Sequence, residues 1–356
     1  MRIIVLLFWL LLIGGCSKHD EIIADRTYRM GFQNSAPRFD NINLFVQSLD
    51  LWTQRADAAI ISVEVPWGDL LGGMTAQKYI ADHFVDLVKY YRGKKLNLWV
   101  YVDPANGLNR ATDAVALVKI NKSIANSDMQ LVYQKFVLAM DSMLVPEHVG
   151  LALETNFIKA SSPTQIYDGV KKAANETASK LKARGSKAKL SVSIQADHAW
   201  GLFTDKKFKG IDQDIIDFPF VEELGISSYP YFFFDKPQDI PADYYSKLMT
   251  GKSLPTFISE GGWATQGFVS FNNATINAST SKQADYMIRQ SELLKSVNAS
   301  AWFQLVFTDI DTSAIPTGVD PTIQYFVTLG LIDINLKPKE SLAQWDAIFK
   351  LPLKTK

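Results

Sequence analysis

Eight short apolar runs, separated by amphipathic stretches, constrain this 356-residue chain more than any other feature. The runs lie at 27–34, 58–67, 96–104, 149–157, 190–197, 224–231, 255–260 and 300–308. Each is short, apolar and bounded by turn residues, as a fully buried strand is. Between them, segments 42–57, 76–92, 130–143, 163–184, 242–250 and 282–297 read as amphipathic helices. Alternation of this kind predicts a parallel sheet, and eight strands predict its closure into a (β/α)8 TIM barrel, a single α/β domain.

Loop lengths support the same architecture. The helix-to-strand connections are short and rich in Gly and Lys: Gly93-Lys94-Lys95, Gly185-Ser186-Lys187 and Gly251-Lys252-Ser253. Several strand-to-helix connections are long, at 105–129, 198–217, 261–281 and 309–321. In a barrel of this type the strand-to-helix loops build the functional mouth.

Two of the strand runs end in glutamate. Glu154 follows Val149-Gly150-Leu151-Ala152-Leu153, and Glu260 follows Pro255-Thr256-Phe257-Ile258-Ser259. A carboxylate is expensive to take out of water, so an apolar strand ending in one suggests a purpose. On one barrel the two acids would converge at one mouth. Such a pair suits glycosidic bond cleavage, in which one carboxyl protonates the leaving oxygen and the other attacks the sugar carbon.

Other strand ends carry polar and aromatic groups suited to a carbohydrate cleft. The candidates for sugar binding are Gln33, Asp103, Asn156, Asp197, Trp200, Tyr229, Tyr231, Trp263 and Trp302. Trp52 and Trp99 read instead as packing residues. Four scattered histidines, with no His-x-His or His-Glu-x-x-His spacing, give no metal site, and no Gly-rich phosphate loop or Gly-x-Ser-x-Gly elbow occurs. No metal or organic cofactor is therefore expected. Thirty-seven basic residues balance thirty-seven acidic ones, which argues against nucleic acid as a partner. Hydrophobic content of 47% with 21% charged residues is that of a globular chain.

The first residues bear on location. Arg2 precedes an apolar stretch, Ile3 to Ile13, that is too short to span a bilayer stably. It ends Ile13-Gly14-Gly15-Cys16, which resembles the lipobox of bacterial lipoproteins, where cleavage precedes a cysteine that is then lipidated. The resemblance implies a signal peptide at 1–15, a lipidated tether at 16–26 and a barrel at 27–352. Cys16 is the only cysteine, so the chain has no disulfide of its own. A lipid on Cys16 would hold the protein in the bacterial cell envelope. The oligomeric state is not legible.

At its glutamates the chain resembles the large superfamily of retaining glycoside hydrolases with an acid/base on strand four and a nucleophile on strand seven. The matching stretches are Ala152-Leu153-Glu154-Thr155-Asn156 and Ile258-Ser259-Glu260-Gly261-Gly262-Trp263. Gly225-Ile226-Ser227-Ser228-Tyr229-Pro230-Tyr231 is similar to strand six of arabinogalactan endo-β-1,4-galactanases. The resemblance implies that Glu260 is the nucleophile, Glu154 the acid/base and Tyr229 the residue orienting Glu260. Glu154 would then need a raised pKa. One departure stands out: the superfamily places asparagine before the acid/base to hold the sugar 2-hydroxyl, and this chain has Leu153. Asn156 is the candidate substitute. A catalytically silent, glycan-binding barrel is the rival reading.

Overall fold

The computed structural model describes residues 25–271 and 273–354. Eight parallel strands close into one barrel: β1 Arg29–Gln33, β2 Ala58–Glu64, β3 Asn97–Asp103, β4 His148–Gly150, β5 Lys189–Gln195, β6 Glu223–Ser228, β7 Thr256–Gly261 and β8 Ala301–Gln304. Their order around the barrel is their order in the chain, and β1 pairs with β8 to close the ring. The protein is a single-domain (β/α)8 TIM barrel.

The barrel interior is filled by large rings. Ile60, Trp99, Tyr101, Leu153, Phe257 and Phe303 form one apolar cluster inside the ring of strands. Tyr101 reaches across it, its hydroxyl 2.8 Å from Ser191 Oγ. Gly150 on β4 makes room for that ring, because a Cβ there would lie 2.2 Å from Tyr101 Cε1. A second, larger core lies between strands and helices. There Trp302 packs edge-on to Tyr28 and tilted against Trp345, at 6.3 and 4.8 Å between ring centres.

Helices occur broadly where the amphipathic stretches lie, at Ile42–Thr53, Ser127–Leu144, Thr164–Ala183 and Thr280–Ser296. The stretch 76–92 is two helices, Ala76–His83 and Val85–Gly93, interrupted at Phe84. Residues 242–250 form successive turns rather than a helix. Two tyrosines explain this: the Tyr244 hydroxyl bonds Asp197 and that of Tyr245 bonds Ser228 under the mouth, so long-range anchors override local periodicity. A helix at Glu340–Phe349, absent from the sequence expectation, covers the outside with Leu342 and Trp345 buried.

The two ends of the described chain meet on the floor of the barrel, where the strands begin. Arg26 N–H donates to the Pro352 carbonyl at 3.0 Å and Lys354 N–H to the Arg26 carbonyl at 3.0 Å. The Arg26 guanidinium also pairs with Asp57. Cys16 and the proposed cleavage position lie outside the described residues.

Candidate active site

β4 is shorter than its apolar run suggests. Its ladder with β5 continues through Leu151 and Ala152, and the chain then turns. Glu154 adopts φ 49° and ψ 46°, and the helix Thr155–Ser161 begins immediately after it. The left-handed conformation is disfavoured for a residue with a Cβ. It is supported here by the Glu154 N–H donating to Ser193 Oγ at 2.9 Å. On β7 a register shift pairs Ile226 with Ile258 but Ser227 with Glu260, so Ser259 is the extra residue. The irregularity brings Glu260, one residue before the strand end, opposite Ser227 at the same mouth.

The two glutamates meet across one hydroxyl. Ser227 Oγ lies 2.5 Å from Glu154 Oε1 and 2.9 Å from Glu260 Oε1. The two carboxyl oxygens are thus no further apart than these lengths laid end to end, within the ~5–5.5 Å of a retaining pair. A serine hydroxyl has one proton to donate. Both contacts are satisfied as hydrogen bonds when one carboxyl is protonated and donates to Oγ, while Oγ donates to the other.

A third charged group sits against the pair. Arg110, buried in the long loop after β3, donates from Nε to Glu154 Oε2 at 2.8 Å and from Nη1 to Asp103 Oδ2 at 2.5 Å. Burial, followed by the neighbouring Glu154 charge, pushes Glu260 up to about 7, and Arg110 only partly offsets this. Burial likewise raises Asp103 despite the adjoining guanidinium. Glu260 thus carries a raised pKa, while the direct ion pair with Arg110 belongs to Glu154. Tyr229 lines the cleft beside both acids, and burial together with their charges raises its phenol well above the usual range.

The cleft has a volume of about 420 Å³. Glu154, Glu260, Arg110, Gln195 and Tyr229 line it, with a wall of phenylalanines above them. Of the expected sugar-binding residues, Tyr229 alone is in that lining. Asp103 is buried outside it and accepts from Arg110. The other expected positions lie outside that lining. Asn156 spends both side-chain atoms on the Gln195 backbone, at 3.0 and 2.8 Å. Asp197 is fully buried, accepting from Gln195 Nε2 and Tyr229 N–H and from the Tyr244 hydroxyl. Trp200 donates to the Tyr244 carbonyl at 2.7 Å and stacks on that ring. The Tyr231 hydroxyl donates to the Tyr325 carbonyl at 2.9 Å. Trp263 packs on Tyr286, Trp302 belongs to the outer core, and Gln33, at the end of β1, lies outside the cleft lining. Leu153 points into the barrel-filling cluster, so the departure from asparagine is a packing residue.

Sequence reading missed Arg110 and the role of Ser227. Arg110 stands alone in a polar loop with no periodic signal around it. Ser227 was within a quoted stretch, but its position opposite both acids depends on the irregularity in β7. Among the described residues, no group of three or more His, Cys, Asp or Glu could hold a metal ion, and no helix is long and apolar enough to cross a membrane.

No family model and no curated protein matches the chain. Solved structures do, at low sequence identity. A variant of GH5_18 from Bifidobacterium longum subsp. longum ATCC 55813, in complex with Manβ1-4GlcNAc, aligns with a TM-score of 0.60 and 15% identity over 92% of this chain and 80% of that one. The exo-β-1,4-mannosidase Op5Man5 from Opitutaceae bacterium strain TAV5 gives 0.63 and 12%, covering 92% of this chain and 60% of its own. The β-glucosidase from Thermotoga maritima in complex with azafagomine gives 0.61 and 10%, with 88% of each chain covered. At such identities the likeness establishes a shared barrel fold, and the neighbours that share it bear glycosidase names.

Proposed function

We propose that this protein is a membrane-anchored retaining glycoside hydrolase acting on a poly- or oligosaccharide or another glycoside, with Glu260 as nucleophile and Glu154 as acid/base. The observation that carries the reading is the Ser227 bridge, which keeps two glutamates from β4 and β7 no further apart than the separation that double displacement uses. The fold neighbours, among them one named as a mannosidase and one as a glucosidase, support the same class.

Catalysis begins by placing the proton. At rest the raised pKa of Glu260 and the guanidinium on Glu154 favour a proton on Glu260. The Ser227 hydroxyl offers a short path for its transfer: Glu260 gives its proton to Oγ as Oγ gives its own to Glu154. That leaves Glu260 ionised and Glu154 protonated. Glu260 then bonds to the anomeric carbon as the glycosidic C–O bond breaks, and Glu154 protonates the departing oxygen. Water, deprotonated by Glu154, releases the sugar and restores Glu260. Tyr229 lines the same cleft, and the family resemblance gives it the role of orienting Glu260.

The rival reading, a glycan-binding barrel without turnover, draws on the same Arg110–Glu154 pair, because the guanidinium occupies an oxygen that an acid/base would turn to its substrate. Chemical rescue separates the two. Glu260→Ala should lose turnover by several orders of magnitude, and azide should restore part of it through a sugar azide of configuration opposite to the substrate. Glu154→Ala should spare activated aryl glycosides and give, with azide, the retained configuration. Wild-type turnover in both variants ends the glycosidase reading, and swapped azide products reverse the roles.

A further inference from the structure

The outer part of the cleft is unlike a surface made for sugar hydroxyls. Phe157, Phe203, Phe232, Phe271, Tyr325 and Phe326 line it, carried by the segments that follow β4, β5, β6, β7 and β8. They touch in sequence around the rim. Phe157 and Phe203 lie 4.8 Å apart between ring centres, Phe203 and Phe271 5.6 Å with planes 20° apart, Phe232 and Phe271 5.7 Å, and Phe232 and Tyr325 5.8 Å. All stay partly open to solvent, and Phe271 is 50% exposed.

A pyranose stacks well on a single flat ring, which meets its C–H face and leaves the hydroxyl edge free. Rings on several sides force that edge against hydrocarbon, and hydroxyls taken from water without partners are costly. Two nearby polar atoms are engaged already: Thr322 Oγ1 donates to the Leu108 carbonyl at 3.1 Å, and Asn109 Oδ1 accepts from Ala111 N–H at 3.1 Å. A flat aromatic ligand has no such edge. It can present its face to one ring and its rim to the next, as the side chains here do with one another.

We infer that the wall of phenylalanines receives an aromatic aglycone, so that the substrate is an aryl glycoside whose sugar sits over the glutamates. The inference rests on reading Glu154 and Glu260 as a glycosidase pair. It also gives the Arg110–Glu154 contact a chemical sense. A phenol, like the tyrosine side chain, ionises near ~10, far below an ordinary sugar hydroxyl. Its oxygen departs with the C–O bonding electrons and needs little proton donation, so an acid/base with one oxygen held by Arg110 suffices. Glu260 forms the new bond to the anomeric carbon as this one breaks. Water then supplies the hydroxyl of the released sugar and the proton of the phenol.

The test is equilibrium binding to the full-length Glu260→Gln protein, in which turnover is blocked. The probes are methyl, n-octyl and 2-naphthyl β-glycosides of glucose, mannose, galactose and glucuronic acid. For at least one sugar the naphthyl glycoside should bind ten-fold or more tighter than the methyl one, and tighter than the octyl one. Adding Phe203→Ser and Phe271→Ser should abolish that gain with the circular dichroism spectrum unchanged. Should the double substitution not fold, Phe271→Ser alone, at a half-exposed ring, should reduce it. Equal affinity for methyl and naphthyl glycosides overturns the inference. Tightest binding of the octyl glycoside overturns it in favour of a glycolipid, and a gain that survives the serine substitutions removes the phenylalanines from the argument. Failure of the glycosidase reading shows separately: the unaltered protein would bind the naphthyl glycoside yet release no naphthol.

Discussion

Glu154 holds φ 49°, a conformation that costs a residue with a Cβ roughly 1–2 kcal/mol. Glycine would carry no such cost, so the site keeps a strained glutamate for what its carboxyl does. Glu154→Gly should therefore be more stable than Glu154→Ala by about 1 kcal/mol, read from urea denaturation midpoints. Equal stability of the two would mean that the strain is absent. The charges make a second prediction. Glu260 ordinarily titrates near 4.5 and is raised to about 7 in the fold. The folded state then holds this proton more tightly than the unfolded chain, so the contribution to stability is full below 4.5 and is lost as pH rises through about 7. Removing the neighbouring negative charge in Glu154→Gln lowers the Glu260 pKa, so the upper end of that decline should move to lower pH than in the unaltered protein. Superimposable stability profiles would count against the electrostatic coupling of the pair.

At the scale of single elements, β4 has little tolerance. A Cβ on Gly150 would meet three ring atoms of Tyr101 at 2.2–2.3 Å, and that ring is locked between strands. Gly150→Ala should cost about 1–3 kcal/mol or more as the interior is overfilled. It should also lower kcat by displacing the turn that carries Glu154, while Gly93→Ala, with nothing near its Cβ, should leave both unchanged. Unaltered stability of Gly150→Ala would show that β4 can move away from Tyr101. The strands were readable in the sequence because each is apolar along its length, and the two catalytic candidates because a charge at the end of such a run is costly. Less was readable where a long-range partner decides. Residues 242–250 have helical periodicity but are pinned by the hydroxyls of Tyr244 and Tyr245. Asp197, Asn156, Tyr231 and Trp263 have the chemistry of sugar ligands, yet their partners are other parts of the barrel. Composition at a strand end shows which groups are near the mouth; it does not show which of them are already taken. Arg110 is the converse, a decisive group on a loop without pattern.

For the whole molecule, the proposed anchoring makes the cysteine testable apart from the barrel. Cys16→Ser should abolish incorporation of labelled palmitate and leave an uncleaved precursor, with thermal unfolding of the barrel unchanged. Equal labelling of both proteins would place the anchor elsewhere. The junction of Arg26 with residues 352–354 on the barrel floor gives such an anchor a direction. The ten residues from Cys16 to Asp25 could span at most ~33–36 Å when fully extended, and they join the barrel on the side opposite the mouth. A protein moored in this way would stand with its back to its own lipid and its cleft turned outward. Its substrates would come to it from the surroundings, and sugars on neighbouring lipid headgroups would lie behind it.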